Sequence, residues 1–412
     1  MSILECFGQD HAIIRLQKAR QVSRLPHSYI FYGPEGVGKG LLAGQWAKLM
    51  LCSDPQRRRL VGGDSGRADS DGLFNSTDSA NSTDSTDSAN AVDGDSVMID
   101  DCCDKCADCR MVEASSHPDL HKIDKQSVRH TSKARSSQML ALPIDVIREM
   151  VIKPAGVFPS RKRARIFIID QAESMNIAAQ NALLKTLEEP PANTFLILIT
   201  SNPELFLPTI RSRCQEIRFV SLPKAFIYKR LLDCGVEEPQ GRFWAEFSDG
   251  RLGYALQLSQ MGLYEAKRKF LEQLCRLSYA NALVLAEWLQ KQAKEFGKVL
   301  GEKQAEISTS DADRQGRLFW LDIIVHVFSQ VMRRQVVGAS GQLSEPGSPN
   351  QLEQPDQAEQ LDKLGRRFDP YVCSRVIKAV TDSRRYIFAN VNPALIFESL
   401  MLECLNCASA GV

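Results

Sequence analysis

Residues 31–40 read FYGPEGVGKG, which sets Gly33, Gly38 and Lys39 at the spacing of a phosphate-binding loop, G-x-x-x-x-G-K-[ST], in all but its last position. In such a loop the backbone amides and the lysine cradle phosphates, and the closing hydroxyl holds Mg²⁺. Here the closing residue is Gly40, which has no hydroxyl. A second partial match is RIFIIDQAE, where Asp170 ends an apolar run and could serve the same metal. Its successor is Gln171, and a neutral amide cannot take the proton of an attacking water as a carboxylate can. Gly33, Gly36, Gly38, Lys39 and Asp170 therefore outline a degenerate nucleotide site, with ATP as its candidate ligand and no hydrolysis expected.

Cysteines supply the second chemistry. Cys103, Cys106 and Cys109 in CCDKCADC are spaced C-x₂-C-x₂-C, and Cys52 precedes them across a long polar stretch. Four thiolates suit tetrahedral zinc and leave no position for water, so a zinc here is structural. The intervening stretch does not exclude Cys52, because loop-closure entropy grows only logarithmically with length. Cys102 competes for the fourth place, but adjacent cysteines seldom face one ion, and the expected set is Cys52, Cys103, Cys106 and Cys109. Cys404 and Cys407 share the two-residue gap on an apolar helical stretch, where they read as core. His117, followed by Pro118, reads as part of a turn.

The elements that must position these groups alternate. AIIRLQKARQVS has helical apolar spacing, SYIFYG is a short strand ending in the loop, and ARIFIID and TFLILITSN are unbroken apolar runs that read as strands buried on both faces. Helices are expected around IDVIREMVI and over AAQNALLKTLEEPP, which paired prolines close. Strand–helix alternation of this kind predicts a parallel α/β sheet over 1–222. Residues from about 53 to 101 are dominated by Asp, Ser, Thr, Asn and Gly and read as a disordered insertion. Beyond them, short helices are expected over 223–261 as a small domain, and a helical domain over 262–412 with a mobile loop at about 338–360.

Composition removes several function classes. The 51 Lys and Arg against 50 Asp and Glu create no whole-molecule field for nucleic acid or an anionic membrane, so any DNA contact is local or shared with partners. The basic run SRKRAR, 160–165, is the one local candidate, and more often such a run is a solvated lead-in to a strand. No stretch approaches the roughly 18 apolar residues of a membrane span, and no apolar signal core opens the chain. The expectation is a cytoplasmic protein whose twelve cysteines bind metal or fill core rather than form disulfides.

Several segments together resemble one family. GQDHAIIRLQKARQVSRLPHSYIFYGPEGVGKG, the cysteine cluster, HPDL, IDVIREM, IFIIDQAESMNIAAQNALLKTLEEPPANTFLILIT and LPTIRSRCQEIRF look like the AAA+ clamp-loader family of bacterial DNA polymerase III, on its delta-prime branch. The likeness is close over residues 5–49 and 102–260 and weaker over the tail, where NVNPALIFESLMLECL resembles the last helix of the family's collar. It implies an AAA+ P-loop domain, a helical lid and an all-α collar through which subunits assemble. Motor subunits of such loaders carry a Ser or Thr after the loop lysine, a Glu after the strand-end Asp, and an Arg in the lid. At the matching positions this chain has Gly40, Gln171 and Gly253, which implies a non-hydrolysing stator. SRC, Ser212–Cys214, resembles the motif that presents an arginine finger in trans, so Arg213 is the implied catalytic contribution to a neighbour's ATP. Spacing alone favours intrachain ion pairs for Arg211 and Arg213. The implied partners are the loader's ATPase subunits and delta subunit, with the sliding clamp and primed DNA reached through the complex. Two alternatives stand beside this reading: an active ATPase motor subunit of the same loader, and a zinc-containing nucleic-acid-binding protein.

Overall fold

Among the described residues seven strands form: β1 (Ser28–Tyr32), β2 (Gln56–Val61), β3 (Ser96–Asp101), β4 (Leu120–Ile123), β5 (Arg165–Ile169), β6 (Thr194–Thr200) and β7 (Gln215–Arg218). The computed structural model describes residues 2–21, 25–61, 96–124, 142–161, 163–303, 308–340, 357–389 and 391–409. Five strands make a parallel sheet in the order β4-β5-β6-β1-β7, and β2 and β3 pair as a separate antiparallel ribbon. The chain divides into two compact units, Met1–Leu222 and Pro223–Val412. The fold class is α/β followed by an all-helical region.

Period-2 alternation explains why the central strands are apolar throughout. On β5, Ile166 and Ile168 join Tyr29, Phe31, Ile197 and Ile199 in one core under the helices Asp10–Gln21 and Lys39–Leu51. Phe167 and Ile169 face the other way, with Ile30, Leu196 and Leu198, against Val146, Ile147, Ala179 and Leu183. A sheet covered on both faces has no use for polar side chains at its centre. The helix expected around IDVIREMVI forms as Ile144–Ile147, a π-helical stretch at Arg148–Ile152 and Lys153–Ala155.

A buried charge fixes the amino-terminal edge of β5. Asp119, fully buried, accepts from the amides of Ser160 (2.8 Å) and Arg161 (3.0 Å) and from Arg165 Nη2 (3.0 Å). The same guanidinium donates to the carbonyls of Pro154, Val157 and Phe158. One aspartate and one arginine therefore close the turn leading into β5. His117 belongs to the same corner: its Nδ1 accepts from the Asp119 amide at 3.1 Å.

The stretch at about 53–101, read as disordered, has ordered ends. Gln56 faces Asp101 and Leu60 faces Val97 across the β2–β3 ribbon, while Leu60 and Ile99 are buried in the first core. Sequence conceals the ribbon because its strands, QRRRLV and SVMIDD, are charged, and the pairing of Arg58 with buried Asp101 (3.3 Å) is invisible without the fold. Residues 62–95 lie outside the described residues, as do 341–356 of the stretch read as a loop at about 338–360.

In the second unit, the segment read as a small domain and the tail pack into one body. Phe247 meets Phe319 at 5.8 Å and His326 at 5.4 Å, and Trp244 meets Phe319 at 6.4 Å. The helices Ala282–Lys303 and Thr309–Ser340 approach so closely that a Cβ on Gly316 would lie 2.1 Å from the Ala293 carbonyl oxygen. Cys404 and Cys407 are buried. Among the described residues no helix is long and apolar enough to cross a membrane.

Desolvation pushes the Asp119 carboxyl up, but the Ser160 and Arg161 amides and Arg165 outweigh it and hold it below the usual carboxylate range. A depressed pKa adds stability that is present above the unfolded value of about 3.9 and is lost as pH falls through the folded value. Asp119→Asn should thus cost about 3–5 kcal/mol in urea unfolding at pH 7, the range for breaking a buried pair, and flatten the acid limb of the stability–pH curve.

Candidate nucleotide and metal sites

The phosphate-type loop runs from the end of β1 into the helix Lys39–Leu51. Gly33 has φ +147°, and a Cβ there would lie 2.3 Å from the Phe219 carbonyl oxygen, so the loop starts where only glycine fits. Gly36 lies in the loop with φ +75°. Gly38, with φ +102°, has open space around it and is required for its backbone alone. Lys39 is buried, and its Nζ donates to the carbonyls of Gly33 and Pro34, both at 2.6 Å. Two of the three ammonium donors are therefore spent on the loop itself. Burial lowers the Lys39 pKa against the opposing pull of Glu35, Glu173 and Asp170.

The missing hydroxyl is not a packing requirement. A Cβ added at Gly40 meets nothing within 4 Å, so serine or threonine would fit. Asp170 directly follows β5, and its carboxyl accepts from the Gln171 amide at 2.9 Å. Desolvation first, then Asp124 and Glu173, raise the Asp170 carboxyl, while Lys39 and the Gln171 amide oppose the rise. Gln171 sits in the left-handed region at φ +48°, uncommon for a residue other than glycine. Glu173 and Asp124 are acids of this neighbourhood that sequence reading missed. Glu173 accepts from Ser201 Oγ at 2.8 Å, beyond the end of β6, a contact that spacing along the chain cannot disclose.

Arg213 follows the short helix Pro208–Arg211 and is partly exposed. Its Nη2 pairs with Glu188 at 2.8 Å, and its Nη1 donates to the Thr209 carbonyl at 2.9 Å. Arg211 pairs with Glu204 and Glu216, each at 2.9 Å. Both arginines are thus in intrachain pairs, and an exposed pair is worth only about 0–1 kcal/mol, little hindrance to exchange of partners. In the second unit Gly253 lies within the helix Leu252–Ser259. Arg251, two residues earlier, is committed locally: its Nε donates to the Ser248 carbonyl at 2.8 Å, and its guanidinium lies 4.5 Å from the Tyr254 ring centroid.

The structure brings Cys52, Cys103, Cys106 and Cys109 together, with all four sulfurs within 4.8 Å of one another. The Cys52–Cys103 and Cys103–Cys109 sulfurs are 3.5 and 4.0 Å apart, bracketing the about 3.8 Å that a tetrahedron with Zn–S near 2.3 Å demands. Amides point at these sulfurs as they do at thiolates: Cys103 N to Cys52 at 3.4 Å, Cys106 N to Cys103 and Cys109 N to Cys106 at 3.3 Å. Cys102, buried beside them, lies outside this set, its Sγ bonded to Asp104 at 3.3 Å. Lys48, on the helix of the phosphate-type loop, bonds Asp104 and Glu113 and so ties the cysteine segment to that helix. Burial pushes the Cys52 and Cys109 thiols up. In Cys106 desolvation acts the same way but is outweighed by hydrogen bonds from Ser53 and Cys109, and its thiol falls to about 6. The cluster fits a zinc ion, which supplies the charge that ionises the remaining thiols.

The described members of the basic run are in use within the chain. Arg161 pairs with Asp108 at 3.5 Å, Arg163 donates to the carbonyls of Cys52 and Ser53, and Arg165 is the buried partner of Asp119.

A glycine loop between the first strand and the following helix of a five-stranded parallel sheet, with an acid just past the end of β5, which β6 separates from β1, defines a P-loop α/β protein. Residues 64–223 match the family described as "DNA polymerase III, delta subunit". Over 394 residues the chain is 23% identical to DNA polymerase III subunit delta' of Bacillus subtilis, covering 96% of this chain and 95% of that one. It is 29% identical over 192 residues to subunit delta' of Pseudomonas aeruginosa, covering 46% of this chain and 42% of the relative. With subunit tau of Bacillus subtilis it shares 28% over 257 residues, 61% of this chain and 36% of the relative. The chain thus matches less than half the length of two of these relatives and nearly all of the third. The chain is thus similar to DNA polymerase III delta' subunits, over residues 64–223 by the family match and over nearly its whole length at lower identity.

Purified chain should carry one equivalent of zinc. Cys106→Ser or a strong chelator should remove it, release the Lys48–Asp104 region and lower the melting temperature by several degrees, measured by elemental analysis and calorimetry. Gly40→Ser should leave the melting temperature unchanged or slightly raised, because glycine in a helix costs about 0.5–1 kcal/mol and the space is open.

Proposed function

We propose that this protein is the non-hydrolysing stator of a replicative clamp loader. It assembles with ATPase subunits and a delta subunit, and the complex loads the sliding clamp onto primed DNA. The observation that carries the reading is the pairing of Gly40 with Gln171 around a loop that is otherwise intact. Two parts of the hydrolysis apparatus are missing where space for the first is open, and Lys39 bonds its own loop. The loop then acts as packing between β1, β7 and the following helix.

Arg213 is the residue this protein lends. It stands on the exposed rim of the first unit in a weak ion pair with Glu188, from which it can pass to a γ-phosphate held by a neighbouring protomer. Its planar fork meets phosphate oxygens in pairs and stabilises the charge that develops there. The zinc held by Cys52, Cys103, Cys106 and Cys109 is structural, since four thiolates leave it no open position.

The isolated chain should show no magnesium-dependent ATP hydrolysis above background. Turnover by the chain alone would favour the motor-subunit alternative, and tight salt-sensitive binding of primed DNA by the chain alone would favour the nucleic-acid binder. In the reconstituted loader, Arg213→Ala should lower the ATPase by about tenfold or more, given the 10³–10⁵ that a finger in trans can contribute. Glu188→Gln, which frees the guanidinium without removing it, should leave the rate near wild type. Equal rates for wild type and Arg213→Ala would remove the finger from this account.

A further inference from the structure

Three of the thiols that converge in the cysteine cluster arrive on one short segment, 103–109, and the fourth, Cys52, comes from 51 residues before Cys103. Its place depends on the turn 52–54, which follows the helix Lys39–Leu51. On one side that turn is bonded to the sulfurs. The Asp54 amide donates to Cys52, and Ser53 donates to Cys106 through both its amide and its hydroxyl. On the other side the turn is bonded to Arg163, whose Nη1 donates to the Cys52 carbonyl and whose Nη2 donates to the Ser53 carbonyl, the latter at 3.3 Å.

Carbonyls just past a helix end have no intrahelical donor, and an arginine placed there meets both that need and the negative end of the helix. Two N–H groups of one rigid fork on successive carbonyls fix the direction of the peptide between them, which a single point donor does not. The peptide so held joins Cys52 to Ser53, and its N–H is the one that reaches Cys106, so an orientation set by Arg163 passes to both sulfurs. Arg163 projects from an anchored segment. Two residues to either side of it, the Arg161 amide and the Arg165 guanidinium both bond the buried carboxylate of Asp119. Zinc with four thiolates is anionic overall, and a guanidinium beside it opposes that charge.

We propose, on the reading of the cluster as a zinc site, that Arg163 is a positioning residue for the metal. It holds the turn 52–54 so that the thiol distant in sequence stays in place among the three supplied by 103–109, and it acts through the backbone of Cys52 and Ser53. The middle of the basic run 160–165 thereby acquires a use within the chain that its composition does not suggest. Arg57 is the matching control: it is an arginine of the ribbon, 82% exposed, whose partner is Asp100 at 3.8 Å.

Competition between the full chain and a chromophoric chelator measures zinc affinity, and the cobalt-substituted chain reports thiolate coordination through its sulfur-to-metal and d–d absorption. Arg163→Gln should weaken zinc binding by about tenfold or more, the lower end of the loss that follows removal of an outer partner of a metal ligand. It should also shift the cobalt spectrum, while its circular dichroism stays that of wild type. Arg57→Gln should leave both metal readouts unchanged. Arg163→Lys, which keeps the charge without the fork, should bind zinc about as weakly as Arg163→Gln. Zinc affinity in Arg163→Gln equal to wild type would overturn this assignment alone, as would full recovery in Arg163→Lys or an equal loss in Arg57→Gln, either of which would replace position by charge. A wild-type chain that takes up no zinc would overturn the metal reading as well. Should Arg163→Gln fail to fold, Ser53→Ala decides, because it removes the hydroxyl between the turn and Cys106: undiminished zinc affinity there would overturn the role given to the turn.

Discussion

A buried ammonium with its counter-groups on its own loop organises the amino-terminal unit. Lys39 bonds the carbonyls of Gly33 and Pro34, which joins the last turn of a strand to the first turn of a helix at the point where the sheet comes closest to the loop. That closeness is set by Gly33, against which Phe219 packs at the end of β7. The loop therefore has a folding role that requires no phosphate. Once it has one, the loop holds its shape with no hydroxyl at position 40, where the space stands open.

The same logic separates the two arginines that matter most. Arg165 and Asp119 are both buried, and each is held by several hydrogen bonds, so neither can be withdrawn without leaving an uncompensated charge. Arg213 has one exposed carboxylate partner and one carbonyl. The difference lies in burial, since both residues are arginines with anionic neighbours. A guanidinium in the first setting fixes a corner of the fold, and one in the second is held only by partly exposed partners.

Legibility in the sequence followed this division. The buried strands were plain because a sheet covered on both faces demands unbroken apolar runs, as in RIFII and TFLILIT. Glycine and lysine spacing revealed the loop, and cysteine spacing gave three thiols of the cluster. Cys52 had to be inferred across the insertion. The β2–β3 ribbon could not be read, because its order comes from cross-strand pairs such as Arg58 with Asp101 and from two apolar residues, Leu60 and Ile99, reaching a core built elsewhere. The contacts of Glu173 and Arg163 escaped for the same reason: each joins a partner distant in the chain.

The ribbon has a consequence for how this chain can vary. Because β2 and β3 pair from Gln56–Asp101 to Val61–Ser96, the backbone enters and leaves the intervening segment at adjacent points, while Cys52 and Cys103 are fixed just beyond the other end. Lengthening or shortening what lies between Val61 and Ser96 changes the entropy of closing that excursion only slowly and need not displace a single sulfur. The ribbon thus works as a mechanical isolator, behind which residues can be added, deleted or rewritten while the cysteine cluster and the sheet beneath it stay in register.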